Sequence, residues 1–388
     1  MAITDKEKGV WGLDQVYNKI NQGSIWEYSG STQLFGWGYD VNGQIGLNSR
    51  GVAYSSPVQV PGTTWKYVSG SGAMNDTMHA LYVKTDGTIW VTGGNNQGEL
   101  GQNSRTYHSS PTQIPGTTWG PELEIGGQSS YTIKTDGTMW TWGLNTSGQL
   151  GHNNTTTYSS PVQIPGTTWG KVVSYGYGTM ATKTDGTLWT WGTNNFGMLG
   201  LNNTTAYSSP KQVPGTTWGT SIGGGGQFGA AVKTDGTLWM WGVNEYGMLG
   251  QNNKTNYSSP KQVPGTTWSK VSGMTAGIVA VKTDGTLWGW GQNDAGHLGL
   301  NDVVLRSSPV QIPGTTWNNI TSAIAHTLAT KTDGTLWSWG ANSQGQMGIN
   351  THEDNGRSSP CQIPGTDWNN GDREFGTTWL GSIATKTL

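Results

Sequence analysis

The chain has 388 residues, a formal net charge of −2 and only 11% charged residues. That balance leaves no basic stripe for nucleic acid or for an anionic membrane surface. The single cysteine, Cys361, excludes internal disulfides, and no apolar run approaches a transmembrane span.

Residues 1–33 lie outside the periodicity that governs everything after them. Leu13, Val16, Tyr17 and Ile20 fall at i, i+3, i+4 and i+7, the spacing of one face of a short amphipathic helix. Gly23 is placed to end it, and Trp11 and Trp26 flank it. The expected organisation is an N-terminal arm over 1–33 and a repeat domain over 34–388. The opening Met1–Lys8 has no apolar core for a signal peptide, so synthesis in a cytoplasm without Sec export is expected.

The block K-T-D-G-T-[LIM]-W stands at Lys84, Lys134, Lys183, Lys233, Lys282 and Lys331, with steps of 50, 49, 50, 49 and 49 residues. A fixed period near fifty means one structural unit copied round a ring or along a rod. It overrides the length prior of two or three domains. The fourth copy, Trp169 to Trp218, has short runs of alternating polarity broken by turn residues and no sustained helical period. Asp185-Gly186 between two such runs marks a hairpin, with a type I′ turn expected. The expected strands are 171–175, 178–184, 187–192 and 209–213. Four short antiparallel strands per unit make a propeller blade.

The count of copies sets the blade number. P-G-T-[TD]-W occurs seven times, from Pro61 to Pro364, and the tryptophan strand also occurs seven times, from Leu34 to Leu336. K-T-D-G-T occurs only six times. The missing hairpin is divided: Ile383–Leu388 has the character of the strand before the turn, and Leu34–Gly38 that of the strand after it. The fold class expected is all-β, a seven-bladed β-propeller closed by pairing of the N- and C-terminal strands, which leaves no open sheet edge, with a short N-terminal helical arm.

The motif D-G-T-L-W-x-W-G-x-N-x-x-G-x-L-G, repeated over 34–388, resembles the regulator of chromosome condensation family of seven-bladed propellers. That family usually carries a histidine five residues before the block lysine; here only His79 and His326 occupy the position. The resemblance implies a mainly structural role for it. Family members that act as nucleotide-exchange factors do so through an insertion that leaves one blade. No insertion here exceeds a few residues, and no basic tail is present, so the resemblance carries over the fold and not exchange activity.

Catalytic patterns are lacking: no G-x-S-x-G, H-E-x-x-H, Walker or calcium-loop motif occurs. Gly224–Gly229 matches G-x-G-x-x-G in form, but a strand follows it, so no helix N-terminus is available for a phosphate. The six histidines show no ligand spacing. The expectation is a protein that is no enzyme, with no catalytic residue, no metal and no cofactor. Nineteen of the 22 tryptophans belong to the repeat and read as packing between blades.

Function is sought where the copies differ. Around the central glycine of N-x-x-G-x-[LIM]-G, copies four and five place Phe196 with Met198 and Tyr246 with Met248, where other copies hold Gln97, Glu99, Ser147, Gln149, Gln344 and Gln346. These four residues are expected to form a contact patch, and Trp11, Leu13, Val16, Tyr17, Ile20 and Trp26 a docking arm. The stretches Trp65–Lys84 and Trp368–Lys386 are longer than their counterparts and neighbour each other beside the divided blade, which marks that sector for attachment. Gly9–Asp14 followed by a short helix looks like the start of repeat-bearing bacteriophage structural proteins. The resemblance implies a virion structural protein (decoration, fibre or tail-tip component) that mediates attachment or host recognition. Its partners would be other virion proteins and a host-surface glycan or protein, with neither nucleic acid nor membrane insertion. The alternative is a bacterial lectin-like or inhibitor-like binding module.

Overall fold

A computed structural model of the protein describes residues 32–70, 78–369, 371–378 and 380–387. Among these residues the chain forms seven four-stranded antiparallel sheets. In the fourth blade the strands are Trp169–Tyr175, Gly178–Lys183, Leu188–Gly192 and Tyr207–Val213, close to the expected spans. The innermost strands of successive blades pack side by side around a central channel. This is a seven-bladed β-propeller.

The hairpin is present but its turn is not type I′. Only Gly186 has a positive φ, at 78°. The Gly186 N–H donates to the Lys183 carbonyl at 3.0 Å and the Lys183 N–H to the Thr187 carbonyl at 2.9 Å, which is a type I turn followed by one left-handed residue. The Asp185 carboxylate explains the choice. It accepts the Thr187 N–H at 3.0 Å and hydroxyl at 2.6 Å, and the Thr187 oxygen in turn accepts the Trp189 indole N–H at 2.9 Å. The Asp, Thr and Trp of D-G-T-L-W thus bond in series at the turn, the Gly supplies its positive φ, and the Leu goes to the core.

The remaining motif residues join blades. The second tryptophan of the strand donates its indole N–H to the previous blade's N-x-x-G loop: Trp142 to Glu99 O at 2.6 Å, Trp191 to Gln149 O at 2.8 Å, Trp241 to Met198 O at 2.9 Å. The second blade has Thr92 there, and its hydroxyl, with that of Tyr82, bonds Gln44 O instead, at 3.0 and 2.9 Å. The loop's central glycine lies against the next blade's outer strand. A Cβ on Gly148, at φ 75°, would collide with the Ser208 backbone. The loop asparagine braces its own loop: Asn194 Oδ1 accepts the Leu199 N–H at 2.9 Å, and Nδ2 donates to Asn203 O and Thr205 O.

The block lysine, whose role is not legible in the sequence, lies over two indoles. Lys134 Nζ is 4.4 Å from the Trp119 ring and 4.5 Å from the Trp140 ring, and the arrangement recurs in blade after blade. A cation over an aromatic face at a partly solvated site is worth about 0.5–2 kcal/mol. Lys183→Met is therefore expected to lower stability by about 1 kcal/mol in urea unfolding; no loss would remove the cation–π account.

The divided blade contains both ends of the repeat domain. Thr32–Asp40 pairs antiparallel with Gly381–Thr387 in unbroken register from Thr32↔Thr387 to Gly38↔Gly381. Val52–Val60 lies outside this pair and Phe375–Thr377 inside it. The first strand starts at Thr32, so the ring takes in two residues assigned above to the arm. Trp37 packs with Leu328, Leu336 and Ile363 of the seventh blade, and Leu34 and Ile383 pack with Trp65, Val68 and Tyr82 of the second. The Trp37 indole also donates to Gln346 O at 2.9 Å, the same bond that joins other neighbouring blades. The expected helix, with Trp11, Leu13, Val16, Tyr17, Ile20 and Trp26, lies outside the described residues.

Candidate functional site at the channel

The up-and-down order of strands gives the ring two different ends. The Asp-Gly hairpins and the Pro-Gly-Thr links lie at one. The turns between first and second strands, and the N-x-x-G loops, lie at the other. At this loop end, Phe196 is 51% exposed and Tyr246 39% exposed, and Tyr177 is exposed as well. Phe196 is also held at φ 61°, a left-handed backbone that costs a bulky residue energy.

Met198 and Met248 do not join them. They are 1% and 3% exposed. Their position is the blade seam: the Met198 carbonyl accepts Trp241 and that of Met248 accepts Trp290, so the side chain is carried under the neighbouring blade. The expected four-residue patch reduces to two aromatics. In other copies the seam residue folds back, as Gln149 Oε1 does on the Ser147 N–H at 2.9 Å.

His79 and His326 are seam residues too. His79 Nε2 is 2.8 Å from Ser130 Oγ, and His326 Nε2 is 3.1 Å from Ser382 Oγ; each serine donates to the seam carbonyl, Glu99 O or Gln346 O. Burial pushes the His326 pKa down to about 4. Asp40 stands where the six other blades have asparagine. Its Oδ1 accepts the Ile45 N–H at 2.8 Å, and its Oδ2 accepts the Ser49 hydroxyl at 2.9 Å. Burial pushes its pKa up to about 6, against those two hydrogen bonds and the nearby Arg50 charge.

These groups act in opposite senses. The stability linked to Asp40 is present below its ordinary value of 3.8 and lost as pH rises through 6. The stability linked to neutral His326 is present above 6.5 and lost as pH falls towards 4. Asp40→Asn, which copies the other blades, is expected to stabilise the protein at neutral pH by about 1–3 kcal/mol. It should also steepen the loss of stability on acidification, since the opposing contribution of Asp40 is then gone and that of His326 stays. Urea melts of both proteins across this pH range test this; identical curves would contradict it.

The loop addition after Trp368 turns inward. In other blades the inner strand runs on directly from its tryptophan. Here Trp368 keeps a bridge to Lys386 and Asn369 a backbone bond to Thr385, regular pairing resumes at Phe375, and between them Asp372 and Arg373 reach across the channel. Arg373 donates to Glu124 Oε2 at 2.6 Å and to Val172 O at 2.9 Å, and lies 3.6 Å from Glu122. Its own carbonyl accepts the Val68 N–H at 2.6 Å. Asp372 accepts Lys270 at 3.2 Å and Asn319 at 3.0 Å, and lies 3.8 Å from Lys171. Burial raises the Glu124 pKa despite Arg373, whereas for Asp372 burial is outweighed by Lys171 and Lys270, which hold it low. One segment therefore ties the divided blade to the second, third, fourth, sixth and seventh. The second addition lies partly outside the described residues.

Above this plug is a cavity of about 480 Å³, reaching from Lys171, Lys270 and Asp372 to the loop-end turns. Among the described residues no group of three His, Cys, Asp or Glu side chains could hold a metal ion. No helix among them is long and apolar enough to cross a membrane.

With this geometry in view, the repeat finds its relatives. The model of the regulator of chromosome condensation (RCC1) repeat matches residues 136–182, 185–232, 235–278, 284–329 and 333–369, more than half of the chain. The chain belongs to the RCC1 repeat family. Its fold is similar to that of human WBSCR16, with a TM-score of 0.79 at 18% identity over 92% of this chain and 99% of that one. Prp20p from Saccharomyces cerevisiae, described with its binding properties to Gsp1p and histones, gives 0.80 at 18% identity over 92% of each chain. Yeast RCC1 (Prp20) bound to Kap60 gives 0.78, again at 18%, over 92% of this chain and 89% of that one. At these identities the likeness is one of fold.

Proposed function

We propose that this RCC1-repeat ring is a non-enzymatic binding protein, a structural component of a bacteriophage virion that contacts another particle protein through its loop end. The observation that carries the reading is the placement of Phe196 and Tyr246. Almost every residue the copies share is consumed within a turn or at a blade seam, while these two differ from their counterparts and stand exposed on adjacent blades. Large aromatics that sit on a rigid frame and are desolvated at a contact are the residues that dominate interface energies. The pairing of Thr32–Asp40 with Gly381–Thr387 supports a rigid frame for such a contact. What the yeast relative binds is a property of that protein, since at 18% identity the likeness is one of fold.

Phe196→Ser with Tyr246→Ser is expected to abolish incorporation into particles, with melting unchanged because neither side chain is in the core. Removing residues 1–30 tests the arm as the rival contact. Loss of incorporation with the truncation but not with the double variant would place the interface on the arm.

A second reading, a lectin-like binding module, is favoured by one observation. The cavity combines serine and threonine hydroxyls and glycine turns with apolar side chains such as Val173, Ile222 and Met274, a mixed lining suited to a sugar's polar edge and apolar face.

A further inference from the structure

We propose that the plugged channel is a binding site for a small neutral polyol, of the size and chemistry of a single hexose. The inference rests on the lectin-like reading and gives it a site and a ligand class.

The plug decides what can enter. Asp372 and Arg373 reach across the channel to the third, fourth and sixth blades, so a polymer cannot thread through, and the cavity accepts a single molecule or the end of a chain from the loop end. At about 480 Å³ it is within the range of small-molecule sites.

Charge decides the class. Glu122, Glu124 and Asp372 face Lys171, Lys270 and Arg373, three acids against three bases, and each is already paired. A charged ligand would have to displace one of these partners. A neutral one would not, and it could use the acceptor capacity left over. Asp372 provides it: Oδ1 accepts from both Lys270 and Asn319, whereas Oδ2 has only Lys171, at 3.8 Å, beyond hydrogen-bond length. The Asp372 side chain is 58% exposed, against 14–16% for Glu122, Glu124 and Arg373.

The walls supply the rest. Ser272, Thr275 and Thr321 line the cavity, and their hydroxyls make no hydrogen bond among the described residues. Hydroxyls both donate and accept, as the hydroxyls of a sugar require. Tyr177 stands at the rim, exposed, where a ring face can stack on the apolar face of a pyranose. A carboxylate with spare acceptor capacity, hydroxyls along the wall and an exposed aromatic at the rim together suit a polyol.

The test uses the whole chain, titrated with methyl glycosides of glucose, galactose, mannose and N-acetylglucosamine and with oligosaccharides ending in each. Saturation-transfer NMR and calorimetry read the binding. At least one glycoside is expected to bind. Tyr177→Ala should weaken it about tenfold, the loss of one aromatic contact, and Ser272→Trp, which fills the cavity, should abolish it. Tighter binding of the oligosaccharide identifies a glycan terminus as the source; equal binding identifies the free sugar. If no glycoside binds, or if both variants bind as the parent does, the proposal is overturned. Should Ser272→Trp not fold, Tyr177→Ala decides. The Phe196→Ser, Tyr246→Ser protein is expected to keep sugar binding, so failure here is distinct from failure of the particle contact.

Discussion

A chain lacking residues 381–388 is expected not to fold to a soluble monomer. These residues supply a central strand of the divided blade, flanked by Thr32–Asp40 on one side and Phe375–Thr377 on the other. Their loss removes seven register pairs with the first strand and strips the hydrogen bond from His326, whose partner is Ser382. It also takes Ile383 and Ala384 out of the packing against both neighbouring blades. Burial of Ile383 alone contributes about 1.5–3 kcal/mol, and the total stability of a domain is only about 5–15 kcal/mol. The exposed edge would then pair with other copies. Size-exclusion chromatography and circular dichroism check this; a monomer with the parent's melting temperature would contradict it.

The second large effect is expected at Arg373. Its guanidinium neutralises two carboxylates, Glu122 and Glu124, inside the channel. Glu122 also has Lys171 at 3.7 Å, but Glu124 loses its ion-pair partner with Arg373, and an uncompensated buried charge costs about 3–5 kcal/mol. Arg373→Met should lose stability of that order. Adding Glu122→Gln and Glu124→Gln should restore most of it, because the cost lies in the orphaned carboxylates and not in the missing side chain. Equilibrium unfolding of the three proteins measures both steps. A single variant as stable as the parent, or a triple variant no better than the single, would show that the plug does not bear on the ring.

Much of the fold is legible in the sequence because a propeller repeats its instructions. The K-T-D-G-T spacing gives the blade, the seven tryptophan strands give the number, and the divided hairpin gives the pairing of the two ends. What is not legible is whatever depends on residues from different blades meeting. Glu124, Lys171, Lys270 and Arg373 stand far apart in the chain, and only the extra length between Trp368 and Lys386 hints at them. That length reads as an outward attachment loop, yet it turns inward, because a bulge from an innermost strand has the channel beside it. Met198 and Met248 read as surface companions of Phe196 and Tyr246 because they lie two residues away. In a tight loop that step moves a side chain from the open end to the seam, where the carbonyl it carries is needed by the next blade's tryptophan. The turn departs from type I′ for a local reason: Asp185 uses its carboxylate to cap Thr187, which keeps its own φ negative.

The central claim is that recognition belongs to the loop end of the ring and that the hairpin end is scaffold. Hydrogen–deuterium exchange of the chain free in solution and assembled in particles from lysed cells tests it most directly. The account predicts new protection at 176–177, 195–197 and 245–247. Protection confined instead to the Asp-Gly hairpins, at 185–186 and 235–236, would contradict it.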